Sequence, residues 1–334
     1  MTPRERLLNI LHGRPFDRPA VLCPGGMMSL AVTEVMQSAG VSWPEAHRDE
    51  DAMLRLALAM QEETGFDNIA LPFCMTVEAE AYGGEIDLGS ATIQPRVRRA
   101  MILPDGLGEL PKPNFRAGRA GKLLKALRKA RHLRPDAALV GNLVGPFSLL
   151  GMLADPLQVL RWTRRNPDLL LRHLNIISKD LAQFGGLQKQ TGADVICIAE
   201  PTATGEILGG HLFREFALPY LNFLCSALRS SNVAIIVHIC GDISAIEKEL
   251  FDLSADAVSF DSMANIVALA SRNPPWRVMG NLDAFLLKKG PPEAIRKRCH
   301  TLLQGGVRLL APACGVIPTT PASHLKAMSE ATRL

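Results

Sequence analysis

Apolar positions in this chain fall into two alternating patterns. Short runs of aliphatic and β-branched residues with few polar interruptions recur at 20–23, 68–71, 138–141, 194–198, 233–237, 257–260, 277–283 and 307–311. Such near-continuous runs mark strands covered on both faces, as in a parallel sheet. Between them, apolar residues return at helical spacing over 4–12, 29–38, 49–64, 117–131, 155–190 and 212–230. Residues 85–103 alternate loosely and predict a hairpin excursion from this rhythm, followed by a loop marked by Pro111 and Pro113. Eight buried strands separated mostly by helices predict a (β/α)8 TIM barrel. The helix at 4–12 forms an N-terminal extension, and residues 1–334 make one barrel domain, a length usual for this architecture.

The barrel gives the polar residues a common address. Glu200, His238, Cys240, Asp261, Asn281, Asp283 and Cys314 all stand at or just past the C-terminal end of a predicted strand. In this fold that face carries the active site. Side chains two apart on an extended segment share a side, so His238 and Cys240 face one point. Cys314 ends the last strand on another side of the ring. One nitrogen and two sulfurs form a soft three-ligand set that suits Zn²⁺ and leaves a fourth position for substrate. The same spacing also fits two thiols that serve only as small buried hydrophobes. Asp261, Glu200 or water can complete the metal shell; alternatively the two carboxylates bond loop amides or support His238. Asn281 and Asp283 are read as pocket-lining or as holders of backbone. Cys74 borders the site or packs in the core, and Glu78 contacts substrate or favours the positive end of a helix.

Composition narrows the class. The hydrophobic fraction of 47% supplies a large core, and a net charge of +4 with few aromatics gives no case for nucleic acid. No run reaches membrane-spanning length, and the first residues do not pattern as a signal peptide. Seven cysteines, an odd number without disulfide-like spacing, suit a reducing cytoplasm.

The motifs carry a resemblance. Thr2-Pro3-Arg4-Glu5-Arg6, then Asp17-Arg18-Pro19, Gly145-Pro146-Phe147 and Gly280-Asn281-Leu282-Asp283 resemble the uroporphyrinogen decarboxylase superfamily. Within it, residues 73–81 and His238-x-Cys240 with Cys314 are similar to the methylcobamide:coenzyme M methyltransferase branch. The resemblance implies a (β/α)8 barrel with zinc on His238, Cys240 and Cys314. It also implies transfer of a methyl group from a methylated corrinoid (methylcobamide) protein to a small-molecule thiol acceptor. Coenzyme M is the implied acceptor; tetrahydrofolate and homocysteine are alternatives. Tetrapyrrole decarboxylation is the competing activity, and one departure weighs against it: the stretch after the first strand, Cys23-Pro24-Gly25-Gly26-Met27-Met28, has no arginine to steady substrate carboxylates. A basic stretch with Arg116, Arg119, Lys122, Lys125, Arg128, Lys129, Arg131 and Arg134 reads as a solvated helix face or as a docking surface for an acidic corrinoid protein.

Overall fold

The computed structural model describes residues 1–102 and 109–333. Eight parallel strands follow the predicted runs: β1 (Ala20–Val21), β2 (Asn68–Leu71), β3 (Ala138–Val144), β4 (Val195–Glu200), β5 (Ala234–Ile239), β6 (Ala257–Phe260), β7 (Arg277–Met279) and β8 (Leu309–Leu310). The ladder runs β1-β8-β7-β6-β5-β4-β3-β2, the cyclic order of a barrel with one seam. Flanking helices cover the outer faces, which is why the strands carry apolar residues on both sides.

Side chains close the seam between β1 and β2. One backbone bond crosses it, from Asp67 N–H to the Val21 carbonyl at 2.8 Å. The amide of Asn68 then acts as a surrogate strand residue: Oδ1 accepts from Cys23 N–H at 3.1 Å and Nδ2 donates to the Cys23 carbonyl at 2.8 Å. Asp67 Oδ2 accepts from Val21 N–H at 2.9 Å, while Arg6 and Arg18 neutralise its charge. The device repeats before β4 and β6. Asp194 accepts from Leu139 N–H and pairs with Arg4 and Arg131; Asp256 accepts from Ile235 N–H and pairs with Arg229. Each of these carboxylates, two buried and Asp256 partly so, gains an arginine and a backbone donor, which offsets its desolvation.

The helices differ from their sequence pattern where proline or glycine intervenes. The run at 155–190 is two helices, Pro156–Arg165 and Pro167–Gln190, because Pro167 cannot supply the N–H that would continue the first. The run at 212–230 likewise divides into Gly209–Phe216 and Leu218–Leu228. The first helix, Pro3–Leu11, opens with a Thr2–Glu5 capping box. Gly25 and Gly26 adopt φ of 82° and 56° in a tight turn, so the predicted helix at 29–38 starts only at Thr33. The excursion contains an antiparallel pair, Ile86–Asp87 with Arg96–Val97; its last predicted position, 103, lies outside the described residues. Among the described residues, no helix is long and apolar enough to cross a membrane.

The basic helix, Gly118–Leu133, lies on the barrel's flank with most of its charges engaged. Lys129 pairs with Asp51 at 2.6 Å, Lys125 with Glu50 at 3.6 Å, and Lys122 donates to the Arg48 carbonyl. Arg119 is buried on Glu80, and Arg131 reaches Asp194. These contacts tie the helix to neighbouring elements.

Candidate metal centre

His238 is the last inward-facing residue of β5 and is fully buried, so its ring is held by its surroundings. Cys240 follows where the chain turns away at Gly241, whose φ is 66°. Cys314 comes from the loop after β8. The strands bring these donors together: His238 Nε2 lies 3.3 Å from Cys240 Sγ, and Cys240 Sγ lies 3.2 Å from Cys314 Sγ. All three ligand atoms fall within 4.8 Å of one another. Two sulfurs and a nitrogen bound tetrahedrally to zinc at about 2.3 and 2.0 Å stand roughly 3.5–3.8 Å apart. The two separations at Cys240 are about 0.2–0.6 Å shorter than that and the third is at most 4.8 Å, so the set can take a soft divalent ion after a small adjustment. Both thiols are half-buried while the imidazole is enclosed, so sulfur forms the open side of the centre.

The two sulfurs lie within hydrogen-bond reach, and that contact, with the imidazole nearby, holds the Cys314 thiol well below its ordinary value. The same contact pushes the Cys240 thiol well up, with burial adding to it. A thiolate is the ligand form, and the lowered Cys314 thiol is the readier of the two to supply it.

Ser259, the register partner of His238 on β6, sets the ring. Its Oγ lies 3.1 Å from His238 Nδ1 and 3.9 Å from Met28 Sδ. The serine oxygen can accept Nδ1–H, and in that tautomer the Nε2 lone pair faces the sulfurs, as a metal ligand requires.

The family model for uroporphyrinogen decarboxylase matches residues 2–334. The chain belongs to the uroporphyrinogen decarboxylase family. Within that family it is 31% identical over 333 residues to a methylcobamide:CoM methyltransferase of Methanosarcina barkeri, covering 98% of this chain and 96% of the relative. It is 29% identical to one from Methanosarcina acetivorans, covering 99% and 98%. A solved methyltransferase from Methanosarcina mazei superposes with a TM-score of 0.93 at 30% identity, covering 99% of this chain and 98% of that one. The expected family, branch and barrel are thereby borne out.

The other sequence-predicted candidates sit at strand ends, but their polar atoms are engaged elsewhere. Glu200 is fully buried and accepts from Phe147 N–H at 3.0 Å, from Ser148 N–H at 2.9 Å and from the Ser148 hydroxyl. It satisfies the N-terminus of the helix Pro146–Ala154, and burial pushes its carboxyl up to about 7. The family's Gly145-Pro146-Phe147 has its reason here, since a Cβ on Gly145 would meet Glu200 Oε2 at 2.3 Å. Glu78 is buried, accepts from Val144 N–H at 2.9 Å, and is pushed up to about 7 by burial.

Asn281 donates to the carbonyls of Asp261 and Ala264 and accepts from Arg298, which occupies its amide fully. Asp283 caps the helix Ala284–Lys289 through Leu286 N–H. Of the two roles expected of Glu200, Asn281 and Asp283, these hydrogen bonds are those of holding backbone. Asp261 bonds within its own loop to Ser262 and Met263, although its charge opposes ionisation of Cys240. Cys74 is buried beside Arg119, which donates to its sulfur at 3.4 Å. Burial raises that thiol, yet the neighbouring His47 and the Arg119 guanidinium outweigh it and leave it lowered to about 6.

Sequence reasoning missed Ser259, Arg119 and Met27. Ser259 had a signal, as a polar residue inside an apolar strand. Met27 had none, being an apolar residue in a turn, yet its Sδ lies 4.0 Å from Cys240 Sγ.

Proposed function

We propose that this protein transfers a methyl group from a methylated corrinoid, carried by a partner protein, to a thiol acceptor held by zinc at His238, Cys240 and Cys314. The observation that carries this reading is the convergence of one imidazole and two half-buried thiols at the barrel mouth. Relatives over nearly the whole chain are named methylcobamide:CoM methyltransferases, which supports a corrinoid donor and coenzyme M as acceptor. Decarboxylation of a tetrapyrrole is disfavoured, because the turn after β1 presents Gly25, Gly26, Met27 and Met28 where a carboxylate clamp would need cations.

When bound, zinc would lower the pKa of the acceptor thiol and keep its sulfur nucleophilic. The residues of this chain do the rest. Cys240 and Cys314, as thiolates, cancel the charge of a divalent ion, so electron density stays on the acceptor sulfur. His238 adds a neutral third donor without drawing density away, and Ser259 holds it in the correct tautomer. The open side of the set faces the mouth, where a planar donor can present its methyl group in line, a positioning contribution. The new sulfur–carbon bond forms as the carbon–cobalt bond breaks; its electron pair stays on cobalt as Co(I), and the thiol proton leaves to solvent.

Metal analysis of the purified protein tests the ligand set. One zinc per chain is expected, with Cys240→Ala and Cys314→Ala each falling toward none while the circular dichroism of the barrel is retained. Undiminished zinc in either variant would contradict the assignment.

A further inference from the structure

We propose that the Met27 thioether fills the fourth position of the metal at His238, Cys240 and Cys314 until an acceptor thiol takes it. This inference rests on the metal reading above. Two sulfurs on a tetrahedral zinc stand about 3.8 Å apart, and Met27 Sδ lies 4.0 Å from Cys240 Sγ. The side chain is half-buried, as are the two thiols.

The main chain beneath Met27 is fixed from several directions. Gly26 N–H donates to the Pro72 carbonyl at 2.7 Å, and Val316 N–H donates to the Met28 carbonyl at 3.1 Å. The second bond ties the turn to the loop that carries Cys314. Gly26 presses so closely on Asn142 that a Cβ would stand 2.6 Å from its Oδ1. A positive φ and a close approach together require glycine there. The turn thus aims one flexible, apolar donor at the ligand set. The carboxylates that sequence position offers for this role are spent, Glu200 on the amides of Phe147 and Ser148 and Asp261 on its own loop.

The chemistry suits a placeholder. A thioether is neutral, soft and a weak acceptor, so it yields to an incoming thiolate where a carboxylate would compete. It also keeps water from the position that the acceptor must occupy. The exchange is balanced without redox change: the thiol gives its proton to solvent and bonds through sulfur, and Met27 keeps its lone pair.

Zinc-edge X-ray absorption on selenomethionine-labelled protein loaded with one zinc tests this directly. The expected resting shell contains one nitrogen, two sulfurs and one selenium. The selenium neighbour should vanish in equally labelled Met27→Leu, which keeps its zinc, and should be replaced by sulfur when coenzyme M is added to the parent. A shell of one nitrogen, two sulfurs and a light atom would overturn the role of Met27 and leave the metal reading intact. Selenium persisting in Met27→Leu would assign the donor elsewhere and overturn it equally. Protein that binds no zinc would overturn both.

Discussion

Ser259 contributes no donor to the metal set, yet its Oγ lies 3.1 Å from His238 Nδ1, the ring nitrogen turned away from the thiols. Such partners of ligating histidines typically carry about 10–100-fold in metal affinity. Ser259→Ala should therefore weaken zinc binding by about that factor, measured by competition with a chelator, without loss of the fold. Unchanged affinity would mean that packing alone orients the ring. The ligand residues were legible because a strand end says which side chains reach the barrel mouth. It does not say whether their polar atoms are free. Glu200, Asn281 and Asp283 were placed at the barrel mouth with two roles open, and the hydrogen bonds of each go to backbone groups. Unpaired backbone N–H groups at helix starts, and loop carbonyls without partners, consume nearby acids and amides first.

The β3-to-helix connection shows that demand at the level of elements. Glu78 and Glu200 hold the segment from Val144 to Ser148 between them, both buried and both with carboxyls raised to about 7. A raised carboxyl means the fold prefers the protonated form. The stability this gives is complete below about pH 4.5, the unfolded value, and is lost as pH rises through about 7. Each group then lowers stability by roughly 1 kcal/mol per pH unit across that window. Glu200→Gln cannot titrate, so its denaturation midpoint should fall less steeply between pH 4.5 and 7 than that of the parent. Parallel profiles would show that Glu200 keeps an ordinary carboxyl. At this scale the strands were legible almost throughout, since covering both faces leaves an unbroken apolar run. The helix at 212–230 was read as continuous because its apolar period survives a proline that its hydrogen bonds do not. The basic helix was left with two readings, a solvated face or a docking surface, because charge spacing does not reveal the Glu50, Asp51 and Asp194 that meet it from other elements.

Over the whole molecule, stability and chemistry occupy opposite ends of the barrel, as the fold generally arranges them. Arg6, Asp17 and Arg18, from the motifs that resemble the family at the N-terminus, gather with Asp67 at the strand starts. Their resemblance reports on how the barrel closes. The departures from a decarboxylase lie at the other end, in an arginine-free turn and a His-x-Cys motif. Closure by Asp67 and Asn68 was not legible, since nothing in the spacing separates a seam-bridging side chain from an ordinary polar strand residue. Seen whole, the chain is a stable ring with a sulfur-rich mouth, and the central claim is that this mouth delivers a corrinoid methyl group to a thiol.

Anaerobic demethylation of methylcobalamin, followed by its visible spectrum with coenzyme M as acceptor, tests that claim most directly. Zinc-loaded protein should convert the donor to the Co(I) form with one methylated thiol formed per turnover. Omission of the thiol, removal of zinc, or Cys314→Ala should abolish the conversion. Protein holding one zinc per chain that leaves methylcobalamin intact with coenzyme M and homocysteine, or that demethylates it only toward tetrahydrofolate, would contradict the account.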